Sequence, residues 1–412
     1  MENVSIVEST ESNAVSAPYK TDALRHGIGN SAVSSQWWHR PDDQKFLSVD
    51  ELLRFKEADY GQMNQRIVDT RKLDIRALER PDGQNPLFNR GELVVEYTDK
   101  NGDRVMNTPT NWSFGQMATR AGAPAKYLRT LPAELVADNL TWSLKTSPSE
   151  AVQVYGEGHG GNMRALTSKD YGRIPDVDIV RAVSKLDLTR WKIPGMMTGM
   201  RDGMAVYDPD VPVTKDTTTL YASDRDVFMF LVDDRNPIEV GKLANGEPDL
   251  MFRGFYVWNS ETGSKTAGVA AMYLRGVCMN RNLWGVENFQ EIKLIHRKHA
   301  LTRFYDEMAP ALQGFAQGEK TQSLIDGVEA AKARKIAKDD EERLDFLKNR
   351  VGLSKLFAQA AMARHLHEEQ KPIESVWDAA QAITAQARDI PHQDDRVDVE
   401  LKAKKILDQV IA

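Results

Sequence analysis

Residues 251–277, MFRGFYVWNSETGSKTAGVAAMYLRGV, decide how the chain is read. Two runs rich in aromatic and β-branched residues, Phe252–Asn259 and Thr266–Val277, flank Ser260-Glu261-Thr262-Gly263-Ser264, so the stretch reads as a β-hairpin. Strand side chains alternate between faces, which puts Phe252, Tyr256 and Trp258 on one side and Arg253 and Phe255 on the other. The hairpin opens a longer segment, Met251–Tyr305, with eight Lys or Arg against three Glu, a formal +5 in a chain of −6. Nine aromatic residues are interleaved with those cations. Cations that neutralise phosphate, set beside rings that stack on bases, are what a single-stranded nucleic acid site needs. The competing reading makes the aromatics core and the cations ordinary surface.

The rest of the 412-residue chain organises around this hairpin. Residues 1–36 lack periodicity and read as an N-terminal arm, and Trp37-Trp38 as its anchor. Residues 37–305 read as an α+β core. Leu47–Ala58 is helical in pattern. Glu92–Thr98 and Arg104–Thr108 form a hairpin about Asp99-Lys100-Asn101-Gly102. Ser113-x-x-Gln116 has capping-box spacing, Gly122 stands where that helix would stop, and Pro124 and Pro132 open two more helices. Ala151–Tyr155 and Met163–Thr167 make another hairpin around the glycine-rich turn Gly156–Gly161, which reads as a mobile tip. A helix follows over Asp176–Leu186, capped by Asp176, then strands at Thr217–Ala222 and Val227–Asp233. From Glu291 onward the pattern is helical, with the charged run KARKIAKDDEER as a solvated helix face inside Thr321–Arg350. The expected fold class is α+β: a mixed hairpin and helix central body, then an all-helical C-terminal third over 306–412.

Composition narrows the function. No stretch of about 18 apolar residues exists, which argues against a membrane span. The N-terminus lacks a basic and an apolar region, so it does not read as a secretory signal. The lone Cys278 fits a reducing, cytoplasmic setting and has no identifiable catalytic partner. His296-x-x-His299 has metal-ligand spacing, but Arg297 and Lys298 between the imidazoles oppose a metal ion. The Gly156–Gly161 turn lacks the lysine of a phosphate-binding loop. Neighbouring carboxylates such as Asp233-Asp234 point to opposite faces of a strand. No cofactor, metal or catalytic residue is expected.

Three motifs, Asn259-Ser260-Glu261-Thr262-Gly263, Arg275-Gly276-Val277-Cys278-Met279-Asn280 and His296-Arg297-Lys298-His299, occur in that order. Lys169-Asp170-Tyr171-Gly172-Arg173-Ile174 precedes them and Val376-Trp377-Asp378-Ala379-Ala380-Gln381-Ala382-Ile383-Thr384 follows. Together, over about residues 90–400, they resemble the phage/plasmid-like protein family, domain of unknown function 932. The resemblance implies a mobile-element context of DNA replication, recombination or conflict with host defence. It brings no catalytic residues.

The expected function is non-enzymatic single-stranded DNA binding or annealing by a homo-oligomer in the host cytoplasm. The expected nucleic-acid-binding residues are Arg253, Trp258, Lys265, Tyr273, Arg275, Arg281, His296, Arg297, Lys298 and Arg303. Two alternatives stay open: an anti-defence factor that binds a host or phage protein, and a metal-dependent nuclease.

Overall fold

The computed structural model describes residues 40–78, 93–99, 101–194, 196–201, 204–208, 210–243, 246–275, 281–282, 291–318, 322–390 and 393–411. The arm 1–36, Trp37-Trp38 and Gly276–Asn280 lie outside them. The fold is α+β, with helices gathered in the C-terminal third.

The first sheet has the order β2-β6-β7-β5-β4-β3: β2 (Asn64–Asp69), β3 (Asp74–Ala77), β4 (Leu93–Thr98), β5 (Arg104–Pro109), β6 (Ala151–Gly156) and β7 (Asn162–Ser168). The β4–β5 turn is built as its sequence asks. Gly102 has φ +90°, and Asp99 Oδ1 accepts from the Asn101 and Asp103 amides at 2.8 and 3.0 Å. Helices α2 (Asn111–Arg120) and α4 (Ala133–Thr146) cover one face, burying Phe114, Met117, Leu140 and Leu144 against Val95, Val154 and Leu166. The cap of α2 is Thr110, whose side chain accepts from the Ser113 amide, and not Ser113. Gln116 is thereby released to bond the Leu166 amide and the Thr262 carbonyl, both at 2.8 Å. Gly122 does end this helix in the left-handed region, at φ +67°. The Gly156–Gly161 tip is tied down: Asn107 Nδ2 donates to the Gly158 carbonyl at 2.8 Å, and the Gly160 amide donates to Met106 O at 2.8 Å.

The second sheet runs β1 (Lys45–Phe46), β10 (Leu220–Ala222), β11 (Val227–Val232), β13 (Pro248–Asn259), β14 (Ala267–Arg275), β15 (Arg281–Asn282). β12 (Ile238–Lys242) also pairs with β13, and β16 (Glu291–Leu294) with β14. A separate two-stranded ribbon joins β8 (Met196–Arg201) and β9 (Met204–Asp208). Glu291–Leu294 is therefore a strand and not a helix start. Its alternation of charged and apolar residues fits the β14 edge, where Ile292 pairs with Val269 and Leu294 with Ala267.

The β13–β14 hairpin is the spine of the molecule, in the register Arg253↔Tyr273 and Trp258↔Gly268. Gly268 is required there: a Cβ would meet the Trp258 ring at 2.1 Å. Both faces of the hairpin are buried, so neither presents cations. One face, with Phe255, Val257 and Val269, packs on α1 (Val49–Gly61), α5 (Asp176–Ser184) and the helical stretch α6 (Ala300–Arg303) to α7 (Ala309–Gln317). The other clusters Phe252, Tyr256, Trp258 and Met272 with Phe228 and Phe230 of β11.

Helices α8 (Gln322–Ala333), α9 (Asp340–Asp345), α10 (Lys355–Glu369), α11 (Val376–Ala387) and α12 (Gln393–Ile411) form the C-terminal third. The charged run is broken and not one helix: α8 stops at Ala333, and Asp339 caps α9 by accepting from the Glu342 amide at 2.9 Å. The third is fused to the sheet, since Ile238, Val240, Met251 and Tyr273 share a core with Leu324, Trp377 and Ile383. Among the described residues no helix is long and apolar enough to cross a membrane.

Candidate nucleic-acid interface and the buried polar seam

The turn from Asn259 to Ser264, which joins β13 to β14, is where the two sheets meet. Gly263 holds φ +86°, with the Tyr171 ring 3.4 Å from where its Cβ would stand. Trp112 Nε1 of α2 donates to Thr262 O at 3.0 Å, and Tyr171 OH donates to Ser260 O at 3.0 Å. Ser260 Oγ donates to Arg225 O, in the β10–β11 turn, at 2.6 Å. Glu261 is buried, and its carboxylate accepts from the Asp176 amide and from Tyr155 OH of β6.

Around Glu261 lies a dense set of buried charges. Arg173 donates to Glu261 O, and its guanidinium stands 3.9 Å from the Tyr155 ring centroid. Lys56 reaches Asp176 at 3.0 Å and Asp59 at 3.4 Å. Arg164 grips Asp59 through two bonds of 2.8 and 2.6 Å and touches Glu157 at 3.2 Å. The environments shift these groups as the contacts demand. Burial pushes the Asp176 carboxyl up to about 7 against the pull of Lys56, and Glu261 beside it adds to the rise. Arg164 and Lys56 outweigh burial at Asp59 and bring it down to about 2. Burial lowers His296 to about 4, and its Nδ1 donates to Gly172 O at 3.0 Å. A nuclease needs carboxylates turned toward a metal. Here Asp59, Asp176 and Glu261 are each held by cations, amide N–H or side-chain hydroxyls of the chain itself. Among the described residues no group of three or more His, Cys, Asp or Glu could hold a metal ion.

The expected interface residues differ widely in exposure. Arg253, Trp258, Tyr273, Arg275 and His296 are buried. Arg253 donates to Phe315 O at 3.0 Å and lies 4.6 Å from the Phe315 ring centroid. Arg275 binds Asp249 at 2.8 and 3.0 Å and also grips Glu369. Side chains so enclosed cannot reach a polyanion from outside, so these five leave the interface. Lys265 is half-buried, with Nζ 5.0 Å from the Phe228 ring centroid. The Arg281 side chain lies outside the described residues. Arg303 is exposed but its charge is matched by Glu307 at 2.8 and 2.7 Å.

Arg297 and Lys298 remain exposed, in the loop between β16 and α6, with no carboxylate partner among the described residues. Gly172 brings a second basic turn beside them. Its amide donates to His296 O at 3.3 Å, and a Cβ there would fall 1.7 Å from Arg297 O. Lys169, exposed on the turn that leads to Gly172, thereby joins the loop, although Asp170 on the same turn opposes part of the charge. Exposed Ile295 and Tyr305 flank the loop on its two sides in sequence.

Three of the motifs that carry the family resemblance, at 169–174, 259–263 and 296–299, therefore converge on one seam. Lys56 and Asp59 were missed as site residues, and Arg164, whose sequence neighbourhood suggested a basic groove, is instead locked to Asp59. The signal was absent locally: Tyr155 and Glu261 are 106 positions apart, and Arg164 and Asp59 are 105 apart. No family model, curated protein or solved structure matches this chain.

Proposed function

We propose that the protein binds single-stranded nucleic acid, DNA in the mobile-element context that the resemblance implies, without catalysing a reaction on it. The surface is narrower than the one expected from sequence: Arg297, Lys298 and Lys169, with Tyr305 as a stacking ring. The observation that carries the reading is the Gly172–Arg297 contact, which holds two basic turns side by side at the rim of the buried seam. Cations fixed by a scaffold pay less ordering entropy on binding phosphate than cations on a mobile tail. An exposed ring seven positions after Lys298 suits an unpaired base better than a duplex.

Fluorescence anisotropy with a labelled single-stranded oligonucleotide, across a salt titration, tests the reading. Wild type should bind with a salt-dependent affinity, and the triple variant Lys169→Gln, Arg297→Gln, Lys298→Gln should bind more weakly. Each lost phosphate contact should flatten the log–log salt slope by about 0.7. No binding at low salt, or unchanged binding by the triple variant, would overturn it.

A further inference from the structure

The first sheet ends in two strands whose outer edges are treated differently. On β3 the edge is closed. The Ile75 amide donates to Thr141 Oγ1 of α4 at 3.0 Å, Thr141 donates back to Ile75 O at 3.1 Å, and Lys145 of the same helix binds Asp74 at 2.9 Å. A helix laid along an edge keeps further strands from adding to it.

On β2 the edge is open. The strand pairs with β6 in unbroken register, from Asn64↔Gly156 to Asp69↔Ala151. The Thr70 amide continues that register by donating to Glu150 O at 2.9 Å. Antiparallel pairs alternate between bonded and non-bonded, so Asn64, Arg66 and Val68 direct their backbone groups to β6. Those of Gln65, Ile67 and Asp69 point away from it, and they bond nothing among the described residues. Gln65 is exposed, Ile67 is 63% exposed, and the strand has no proline, lysine or bulge to guard it.

We propose that the outer edge of β2 pairs antiparallel with β2 of a second copy of this chain, about a two-fold axis at Ile67, joining the two first sheets into one. The strand is complementary to itself in that register. Ile67 meets Ile67 of the second copy, which covers two exposed apolar side chains. Gln65 meets Asp69: Gln65 Oε1 accepts from Arg173, which leaves Nε2 to donate to the carboxylate. Arg66 meets Val68, so no like charges oppose each other. An axis at Arg66 would set that arginine against itself, and an axis at Val68 would set Ile67 against Asp69. Pairing also orders the basic turns. Gln153, opposite Ile67 on β6, donates to Lys169 O at 2.7 Å, so the two Lys169 turns would stand on one face of the joined sheet.

Sedimentation equilibrium over a range of protein concentrations, without nucleic acid, tests the pairing. Wild type should pass from monomer to dimer. Ile67→Lys and Ile67→Glu leave the β2–β6 bonds intact, and each should dimerise at least about tenfold more weakly, since like charges then face each other across the axis. An equal mixture of the two variants should associate more tightly than either alone, because the register brings the opposite charges together. Wild type that stays monomeric at every concentration would leave the edge to another protein's strand or to water, and would overturn the proposal. So would variants that dimerise like wild type, or a mixture no tighter than its parts. Residue-resolved amide exchange on wild type keeps the test independent of how the variants fold. Exchange at Gln65, Ile67 and Asp69 should slow as protein concentration rises, and exchange at these three that ignores concentration counts against the pairing. Because no oligonucleotide is present, failure here is distinguishable from failure of the Arg297 and Lys298 surface.

Discussion

Arg275 and Arg297 are 22 positions apart in the same basic segment, yet they do opposite things. Arg275 ends β14 enclosed by Asp249 of β13 and Glu369 of α10, with Lys332 of α8 at 3.7 Å from Asp249. Arg297 stands in solvent on a loop with no carboxylate beside it among the described residues. The first cation ties the sheet to the C-terminal helices. The second is available to a phosphate. Charge excess in a segment therefore says little until the acids brought from elsewhere in the chain are counted, and those acids are invisible to local sequence.

The largest effect that would sharpen this contrast is on stability. Arg275→Met keeps bulk but leaves the Asp249 carboxylate buried with Lys332 as its remaining cation among the described residues. Breaking one side of such a buried pair should cost about 3–5 kcal/mol in urea denaturation. A loss below about 1 kcal/mol would mean that Arg275 does not hold the helices to the sheet, and the contrast would collapse.

The same contrast shows what was legible. The Asp99–Gly102 turn, the β13–β14 hairpin and the helical C-terminal third follow from chemistry within a few residues: positive φ at Gly102, aromatic and β-branched alternation, amphipathic spacing. The Glu291–Leu294 strand was not legible, because its hydrogen bonds go to Ala267–Ala270, more than 20 positions earlier. Aromatics interleaved with cations misled for a physical reason. A sheet covered on both faces yields the same pattern as a half-exposed binding sheet, once Arg253 and Arg275 find carbonyls and carboxylates at their ends. Of the ten expected interface residues, Arg297 and Lys298 are the pair that the structure leaves exposed without a described carboxylate partner, and Lys169 reaches them only through the long-range Gly172 contact.

pH sharpens the contrast next. His296 at the seam and His365 in α10 are both lowered by burial to about 4: the Gly172 carbonyl opposes the fall at the first while Arg173 adds to it, and Glu369 and Asp378 oppose it at the second while Lys371 and Arg275 add to it. The unfolded value is about 6.5. Between those values the unfolded chain takes up protons that the fold refuses. Each histidine therefore contributes stability that is complete above pH 6.5 and is lost as pH falls through 4, up to about 3 kcal/mol. His365→Gln should make urea midpoints at pH 7 and pH 5 more alike than in wild type. An unchanged difference would remove His365 from the acid response.

Gly172→Ala should have a smaller but double effect. The added methyl would lie 1.7 Å from Arg297 O, so the two basic turns must part. Overpacking of this kind costs about 1–3 kcal/mol. Oligonucleotide affinity should fall as well, measured at a temperature where both proteins remain folded. Loss of stability with full affinity would show that the juxtaposition of Lys169 and Arg297 does not matter for binding.

The smallest stability effect completes the comparison from the other side. Arg297→Gln with Lys298→Gln removes two charges, and no described carboxylate is left behind. Surface changes of this kind move stability by about 0.5 kcal/mol or less. Urea midpoints should therefore match wild type while the salt slope for single-stranded DNA flattens by about 1.4, two contacts' worth. Arg275→Met should show the reverse once it is assayed under conditions where it is folded: a large stability loss with the slope preserved. If the double variant unfolds early, its cations are structural after all. If instead Arg275→Met flattens the slope, the buried hairpin opens to nucleic acid, and enclosure in the sheet is not the ground on which these cations divide.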